Sequence, residues 1–356
     1  MSLTINNESF EVATRRSREL ETQIQDHPER FRMLTGDRPT GPLHIGHLFG
    51  TLLNRVRMQE LGVDVFVLIA DYQTITDRDA PERIRDDVLG LVADYLAVGI
   101  DPNKATIFAH SQIAEINQLM LPFLSLVGVG ELQRNPTVKE EFAVSGGSSM
   151  NALMFTYPVH QAADILFCGA NVVPVGRDQL PHVELARLIA RRFNDRYNSG
   201  EPLFLEPTAL LSNAPLILGL DGRKMSKSRN NAIALAMDED ETARIVSAAP
   251  TDAERRITFD PVRRPEVSNL LSILSLCTDE TPSAVAEEIG DSGSREVKRR
   301  LTEALNERLR PIRERRRELL KDPAHLSIVL ARGDERAREI AAQTLNRVLE
   351  SMHMRY

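Results

Sequence analysis

Apolar positions along the chain follow two rhythms. Short continuous apolar runs bounded by polar or glycine-bearing turns predict buried strands: FRMLT at 31–35, DVFVLIAD at 64–71, ATIFAHS at 105–111 and ANVVPVG at 170–176. Between them, 47–61 reads as a helix, and PERIRDDVLGLVADYLAVG at 81–99 has helical periodicity with Pro81 in its first turn. Strands alternating with helices imply right-handed crossovers and a parallel sheet covered on both faces. From 112 to 167 the pattern turns helical, interrupted by SGGSS at 145–149, and beyond about 235 it is almost wholly helical. The predicted fold class is α/β, a doubly wound parallel sheet in a domain at 31–235, with a helical insertion at about 112–167 and an all-helical C-terminal domain at 236–356. Residues 1–30 form a polar extension, expected as a surface helix or a partly disordered arm.

Composition narrows the class. At 356 residues, 42% apolar and 27% charged, the chain is long enough for a large core and ordinary for a globular protein. No apolar run reaches bilayer-crossing length, and the N-terminus has no apolar segment of signal-peptide kind. Cys168 and Cys277 are the only cysteines, too few for a disulfide framework or a four-thiolate metal site. A cytoplasmic enzyme is expected. The net charge of −7 argues against nucleic acid, but phosphate binding depends on local patches. One such patch is REVKRRLTEALNERLRPIRERRR, residues 295–317, with ten Lys/Arg against four Glu. It reads either as a solvated helix laced by charge pairs or as a surface for backbone phosphates.

The first chemical signal is TGDRPTGPLHIGHLFG at 35–50, which leaves the first strand and enters a helix. In an open parallel sheet, ligands bind where such segments leave the carboxyl ends of the strands. Gly41 and Pro42 set the turn, Gly46 permits close backbone approach, and the helix start offers unpaired N–H groups to an anion. His44 and His47, three apart, can face the same phosphate or merely cap the helix. Neither a P-loop nor a G-x-G-x-x-G fingerprint is present. The second signal is GRKMSKS at 222–228, where Lys224 and Lys227 are either solvated loop charges or phosphate ligands.

HIGH followed by KMSKS, in this order in an α/β chain, resembles the class I aminoacyl-tRNA synthetases and implies their Rossmann-like catalytic domain. Those enzymes activate an amino acid with ATP and load it onto tRNA. Adenylation needs placement and charge stabilisation while a carboxylate attacks the α-phosphorus and pyrophosphate leaves. The resemblance implies that His44, His47, Lys224 and Lys227 serve that step. Mg²⁺ is expected to travel with ATP, with no metal cage supplied by the protein.

LAVGIDPNKATIFAHSQ, TYPVHQAADILF, VPVGRDQLPHVELARLIARRFN and LRPIRERR sharpen the resemblance to bacterial tryptophanyl-tRNA synthetases, over roughly residues 31 to 350. It implies that Asp164 accepts the indole N–H of tryptophan, that Leu34, Gln73, Tyr157, Gln161 and Gln179 line the amino-acid site, and that Val173 and Val175 lie against the ring. ATP is then met by Arg38, Pro39, Thr40, Gly46, His47, Gly176, Arg177 and Asp178, with Leu216 at the adenine. Lys139 and the loop residues Lys224, Met225, Ser226, Lys227 and Ser228 meet its phosphates. From spacing alone, Tyr157, Gln161 and Asp164 share one helix face, and an ionised Asp164 demands a ligand donor. Indole N–H and a tyrosine hydroxyl both qualify, so tyrosine is the alternative substrate. Leu34 stands where the tyrosyl family offers a tyrosine to the substrate hydroxyl.

Gln73, Gln161 and Arg177 depart from residues common in the family (histidine, methionine and glutamate), which marks a divergent or second-copy form. His160 and His182 show no metal-ligand spacing along the chain and read as structural. The apolar stretch INQLMLPFLSLVGVGEL at 116–132 suits either core or a partner subunit, and the resemblance implies a homodimer. Expected partners are therefore tRNA(Trp), L-tryptophan, ATP and a second copy, with no membrane. A small-molecule nucleotidylyltransferase shares H-x-G-H but needs no long helical tail, and a non-catalytic paralogue has no need of an intact KMSKS.

Overall fold

The computed structural model describes residues 7–76, 81–136, 138–139, 151–198, 200–211, 217–223, 225 and 231–356. Five strands form one parallel sheet in the order β3-β2-β1-β4-β5: β1 (Arg32–Asp37), β2 (Asp64–Ile69), β3 (Ala105–Ala109), β4 (Val172–Val175) and β5 (Thr208–Leu211). The apolar runs that predict β1 to β4 alternate between two cores. Met33, Val65, Val67 and Ile107 join one, and Leu34, Phe66, Leu68 and Phe108 the other. Period-two alternation with both sets apolar is what a sheet buried on two faces requires. β5 is not anticipated from the sequence.

Of the surface helix or arm expected at the N-terminus, the helix is what forms, as α1 (Asn7–Asp26). It packs beside β5, with Leu20 and Ile24 buried, and the Leu211 N–H donates to Ser17 Oγ at 2.8 Å. Burying each of those aliphatic side chains contributes about 1.5–3 kcal/mol, enough to hold a helix that is otherwise polar.

Helix α2 is composite: an α turn (Ile45–His47), a π turn (Leu48–Leu52) and a regular stretch (Leu53–Leu61) that ends at Gly62 with φ of 99°. Helix α3 (Ile84–Val98) follows a short 3-10 turn that begins at Pro81. Helices α4 (Ala114–Leu124), α5 (Val129–Arg134) and α6 (Ala152–Phe167) come from the predicted helical insertion; SGGSS at 145–149 lies outside the described residues. Helix α7 (Leu180–Tyr197) returns the chain to β5.

The C-terminal part is helical as its pattern predicts: α8 (Glu239–Ala248), α9 (Pro265–Thr278), α10 (Pro282–Ile289), α11 (Ser294–Leu320) and α12 (Pro323–Ser351). It packs tightly on the sheet. α12 covers edge strand β3 so closely that a Cβ at Gly333 would lie 1.8 Å from the Ile107 carbonyl oxygen, and the Ala109 N–H donates to Asp334 at 2.8 Å. A bare strand edge invites pairing with other chains, and α12 removes it. The basic stretch turns inward more than its sequence suggests. Arg316 pairs with the fully buried Asp94 at 2.5 Å, Arg315 donates to the Ala97 carbonyl, and Arg313 donates to Asn306 and Thr242. Arg299, Arg300 and Arg310 pair with glutamates three and four residues away. No helix among the described residues is long and apolar enough to cross a membrane.

Candidate active site

Strand order reverses between β1 and β4, and a cavity of about 440 Å³ opens there at the carboxyl ends of the strands. Leu34 and Arg38 line it from β1 and its exit, and Val173, Val175, Gly176 and Gln179 from β4 and its exit. Tyr157, Gln161 and Asp164 line it from one face of α6, as their spacing predicts, and Gln73 closes the β2 side. Arg38 Nη2 donates to the Gln73 carbonyl at 2.7 Å, so the β1 and β2 exits are tied together.

The turn residues Pro39, Thr40, His44, Gly46 and His47 do not line this cavity; they lie on the neighbouring entry to α2. Both histidines cap that helix. His44 Nδ1 accepts from the Gly46 N–H at 3.1 Å, and His47 Nδ1 accepts from the His44 N–H at 3.2 Å. An Nδ1 acceptor fixes the neutral ring's proton on Nε2, so each ring that caps the helix also carries an N–H donor. The ring centroids lie 3.8 Å apart, with the planes tilted by 49°. Capping and phosphate donation are therefore compatible uses of the same residues.

The two motifs meet. A Cβ on Gly46 would lie 3.0 Å from the His44 ring and 3.1 Å from Met225 Sδ, so any larger residue would have to push one of them aside. The chain just after KMSKS runs along the HIGH turn: Ile45 N–H donates to Ile233 O at 2.9 Å and Leu235 N–H to Leu43 O at 2.8 Å. Leu216, Lys224, Ser226, Lys227 and Ser228 lie outside the described residues. Lys139, Arg177 and Asp178 are exposed and do not line the cavity; Arg177 lies over the Phe10 ring of α1 at 4.5 Å.

Several lining residues are absent from the sequence reading. Asp37 and Arg55 form a buried pair at 2.6 Å, with the Tyr95 hydroxyl donating to the same Asp37 oxygen at 2.8 Å. Burial works against the Asp37 charge, but Arg55 outweighs it and holds the carboxyl below its usual range. Only the adjacency of Asp37 to Arg38 hints at this, because Arg55 arrives from α2 and Tyr95 from α3. His182, read as structural, also lines the cavity; burial pushes it down to about 4, and its Nε2 lies 3.5 Å from the Tyr157 hydroxyl.

His160 belongs to a cluster that its chain spacing does not reveal. It stacks on His110, ring centroids 4.1 Å apart and planes at 21°, and both lie beside Asp164 within metal-ligating reach of one another. Chain spacing hides this, because His110 arrives from the end of β3. Lone pairs lie in the ring planes, and nearly parallel planes do not converge on a point about 2.0–2.1 Å from each nitrogen. The arrangement is that of a stacked polar pair rather than a metal cage. His110 Nε2 lies 2.9 Å from Asp164 Oδ1, at ion-pair distance, with both side chains essentially inaccessible.

The model of the family "tRNA synthetases class I (W and Y)" matches residues 26–310. The chain belongs to that family of class I tRNA synthetases. Within it, the chain is 43% identical over 336 residues to the tryptophan–tRNA ligase of Streptococcus pneumoniae serotype 4, covering 91% of this chain and 98% of the relative. It is 43% identical over 333 residues to that of Clostridium longisporum, covering 91% and 97%. Among solved structures, tryptophanyl-tRNA synthetase from Campylobacter jejuni complexed with ADP and tryptophan superposes with a TM-score of 0.79 at 32% identity, covering 91% of this chain and 100% of that one.

Proposed function

We propose that this chain is a tryptophan–tRNA ligase that activates L-tryptophan with Mg²⁺-bound ATP and transfers it to tRNA(Trp). The observation that supports the reading most is the meeting of the HIGH turn with Met225 and the 231–237 segment beside a strand-end cavity. Besides the Arg55-paired Asp37, the cavity offers the ring an apolar slot of Leu34, Val173 and Val175 and the carboxylate of Asp164, which faces His110 with Oδ1 and leaves Oδ2 without a hydrogen-bond partner among the described residues. A buried acceptor without a donor costs free energy until a ligand supplies one. Indole N–H supplies one, whereas a tyrosine hydroxyl also has an acceptor side to satisfy, which Leu34 cannot do. The relatives named above support tryptophan as well.

In this reading the tryptophan carboxylate attacks the α-phosphorus of ATP and pyrophosphate departs in line. The Nε2–H groups of His44 and His47 donate to phosphate oxygens as charge builds, and Lys224 and Lys227 neutralise the departing pyrophosphate. Arg38, Gly176 and Asp178 meet the nucleotide from the strand exits. Exposed Leu121 and Val129 on α4 and α5 suit a second copy of the chain. The helical tail is assigned to tRNA, through basic side chains that remain exposed, such as Arg295 and Arg308. The test is ATP–pyrophosphate exchange with each of the twenty amino acids. Tryptophan alone should support fast exchange; tyrosine-dependent exchange at an equal or higher rate would overturn the assignment.

A further inference from the structure

The carboxylate of Asp164 sits in an unusual setting. His110, at the exit of β3, places Nε2 2.9 Å from Asp164 Oδ1, and neither residue is accessible to solvent. Neither ring nitrogen of His110 nor either oxygen of Asp164 has an aligned hydrogen-bond partner among the described residues. The two groups therefore balance one another chiefly by charge. We propose that His110 is a positioning residue for amino-acid recognition: its imidazolium supplies the counter-charge that lets Asp164 face an indole N–H inside a sealed apolar site, so that tryptophan binding takes up a proton. This rests on the assignment of Asp164 as the indole acceptor.

The neighbours restrict the charge to His110. His160 stacks against it but is itself held neutral: burial disfavours its charged form, as does His110, and the pull of Asp164 does not compensate. His160 Nε2 lies 2.9 Å from Asn117 Oδ1, which as acceptor places the ring proton there. From the β2 exit, Tyr72 meets His110 edge-on at 5.5 Å, and the Asp71 carboxylate adds a favourable field while accepting from Ser111. From α12, Asp334 accepts the Ala109 N–H and Arg338 donates to the Gln112 carbonyl, on either side of the same turn. Burial by itself opposes a charged His110, but Asp164 and then Asp71 outweigh it, so the ring titrates above its ordinary range.

Two effects compete when the ligand enters. An indole N–H donated to Asp164 favours the carboxylate and would release a proton from the pair. Filling the cavity with an aromatic ring replaces solvent near the pair by a medium of low dielectric, so the Asp164 carboxylate depends more on the His110 counter-charge. The lost screening acts on the full charges of the pair, whereas the indole N–H adds a single neutral donor. The second effect wins, and the proton on His110 is held more tightly in the complex than in the free protein.

The test uses tryptophan itself as the probe, since the chain contains no tryptophan. Its dissociation constant is read from ligand fluorescence between about pH 6 and about pH 9, in the parent, His110→Gln and Asp164→Asn. In the parent, affinity should fall about tenfold across that range, the change for one unit of pKa difference between free and bound states. His110→Gln keeps a donor for Asp164 without a titrating charge. It should bind more weakly than the parent near pH 6, converge with it near pH 9, and lose the step. Dividing the two profiles cancels the ligand's own titration. A parent profile parallel to that of His110→Gln would overturn the inference. Should His110→Gln fail to fold, the parent against Asp164→Asn decides, because only the parent should show the step. If binding is indifferent to Asp164 altogether, the acceptor assignment fails and this inference with it; an Asp164-dependent but pH-flat affinity sinks the inference alone.

Discussion

Arg316 and Asp164 are both charged groups sunk into the interior, and each has a counter-charge there, but the fold leaves an oxygen of Asp164 open. Arg316, on α11, is matched at 2.5 Å by Asp94 of α3, a carboxylate that also accepts the Leu43 N–H at 3.0 Å. Arg313 and Arg315 on the same helix are likewise spent on Thr242, Asn306 and the Ala97 carbonyl. In the strand-end cavity, Asp164 Oδ2 and His182 Nδ1 are buried with no hydrogen-bond partner among the described residues. Buried polar groups are normally satisfied, so the satisfied set speaks of architecture and the unsatisfied set of a ligand. A run of arginines was the more conspicuous feature of the sequence, yet much of it braces the tail against the catalytic layer.

The largest expected effect lies on the architectural side. Arg316→Gln leaves Asp94 buried without its counter-charge and should cost about 3–5 kcal/mol of stability, read by urea unfolding at neutral pH. Pyrophosphate exchange per folded molecule should be retained. A variant of undiminished stability that fails to charge tRNA would turn α11 into a ligand surface and break the contrast.

Next in size is Asp164→Ala, which removes an acceptor that the protein itself leaves unused. Tryptophan binding should weaken by about 1–3 kcal/mol, and the urea midpoint should fall less than in Arg316→Gln, because His110, left without its counter-charge, can shed its proton. Collapse of stability with intact affinity would reverse the roles assigned to the two regions.

The smallest effect sharpens the comparison at the seam between the regions. Burial raises Asp334, on α12, to about 6, although the Ala109 N–H pulls the other way. Its folded pKa exceeds its unfolded one, so its contribution is complete below the unfolded value of 3.8 and is lost as pH rises through about 6. Asp334→Asn keeps an acceptor for Ala109 without that titration. Relative to the parent, it should gain stability between acidic and neutral pH, on the order of 1 kcal/mol after allowance for solvent screening. Thermal unfolding of both proteins at the two pH values reads the difference; an equal pH response in both would show that Asp334 is not the group responsible.

Legibility in the sequence followed the range of the interactions. Four strands announced themselves as apolar runs because both faces of the sheet are covered, whereas TALL at β5 is short and lies outside the readable rhythm. Helix α1 was obscured because two buried residues, Leu20 and Ile24, anchor a segment that is polar elsewhere. At the site, the α6 stripe was readable because helical period alone puts Tyr157, Gln161 and Asp164 on one face. HIGH and KMSKS were readable as local motifs. The Asp37–Arg55–Tyr95 network and the His110–His160–Asp164 cluster were not, since each joins side chains from separate elements that only the folded sheet brings together.

The central claim is that the strand-end cavity takes an indole ring and offers its N–H one buried acceptor. Because the chain has no tryptophan, all indole emission from a complex belongs to the ligand. Titrating tryptophan with the protein should give saturable, blue-shifted emission as the ring leaves water for the slot of Leu34, Val173 and Val175. Tyrosine should displace it only at far higher concentration. Displacement by tyrosine at equal or lower concentration would contradict the account and pass the cavity to the tyrosyl reading.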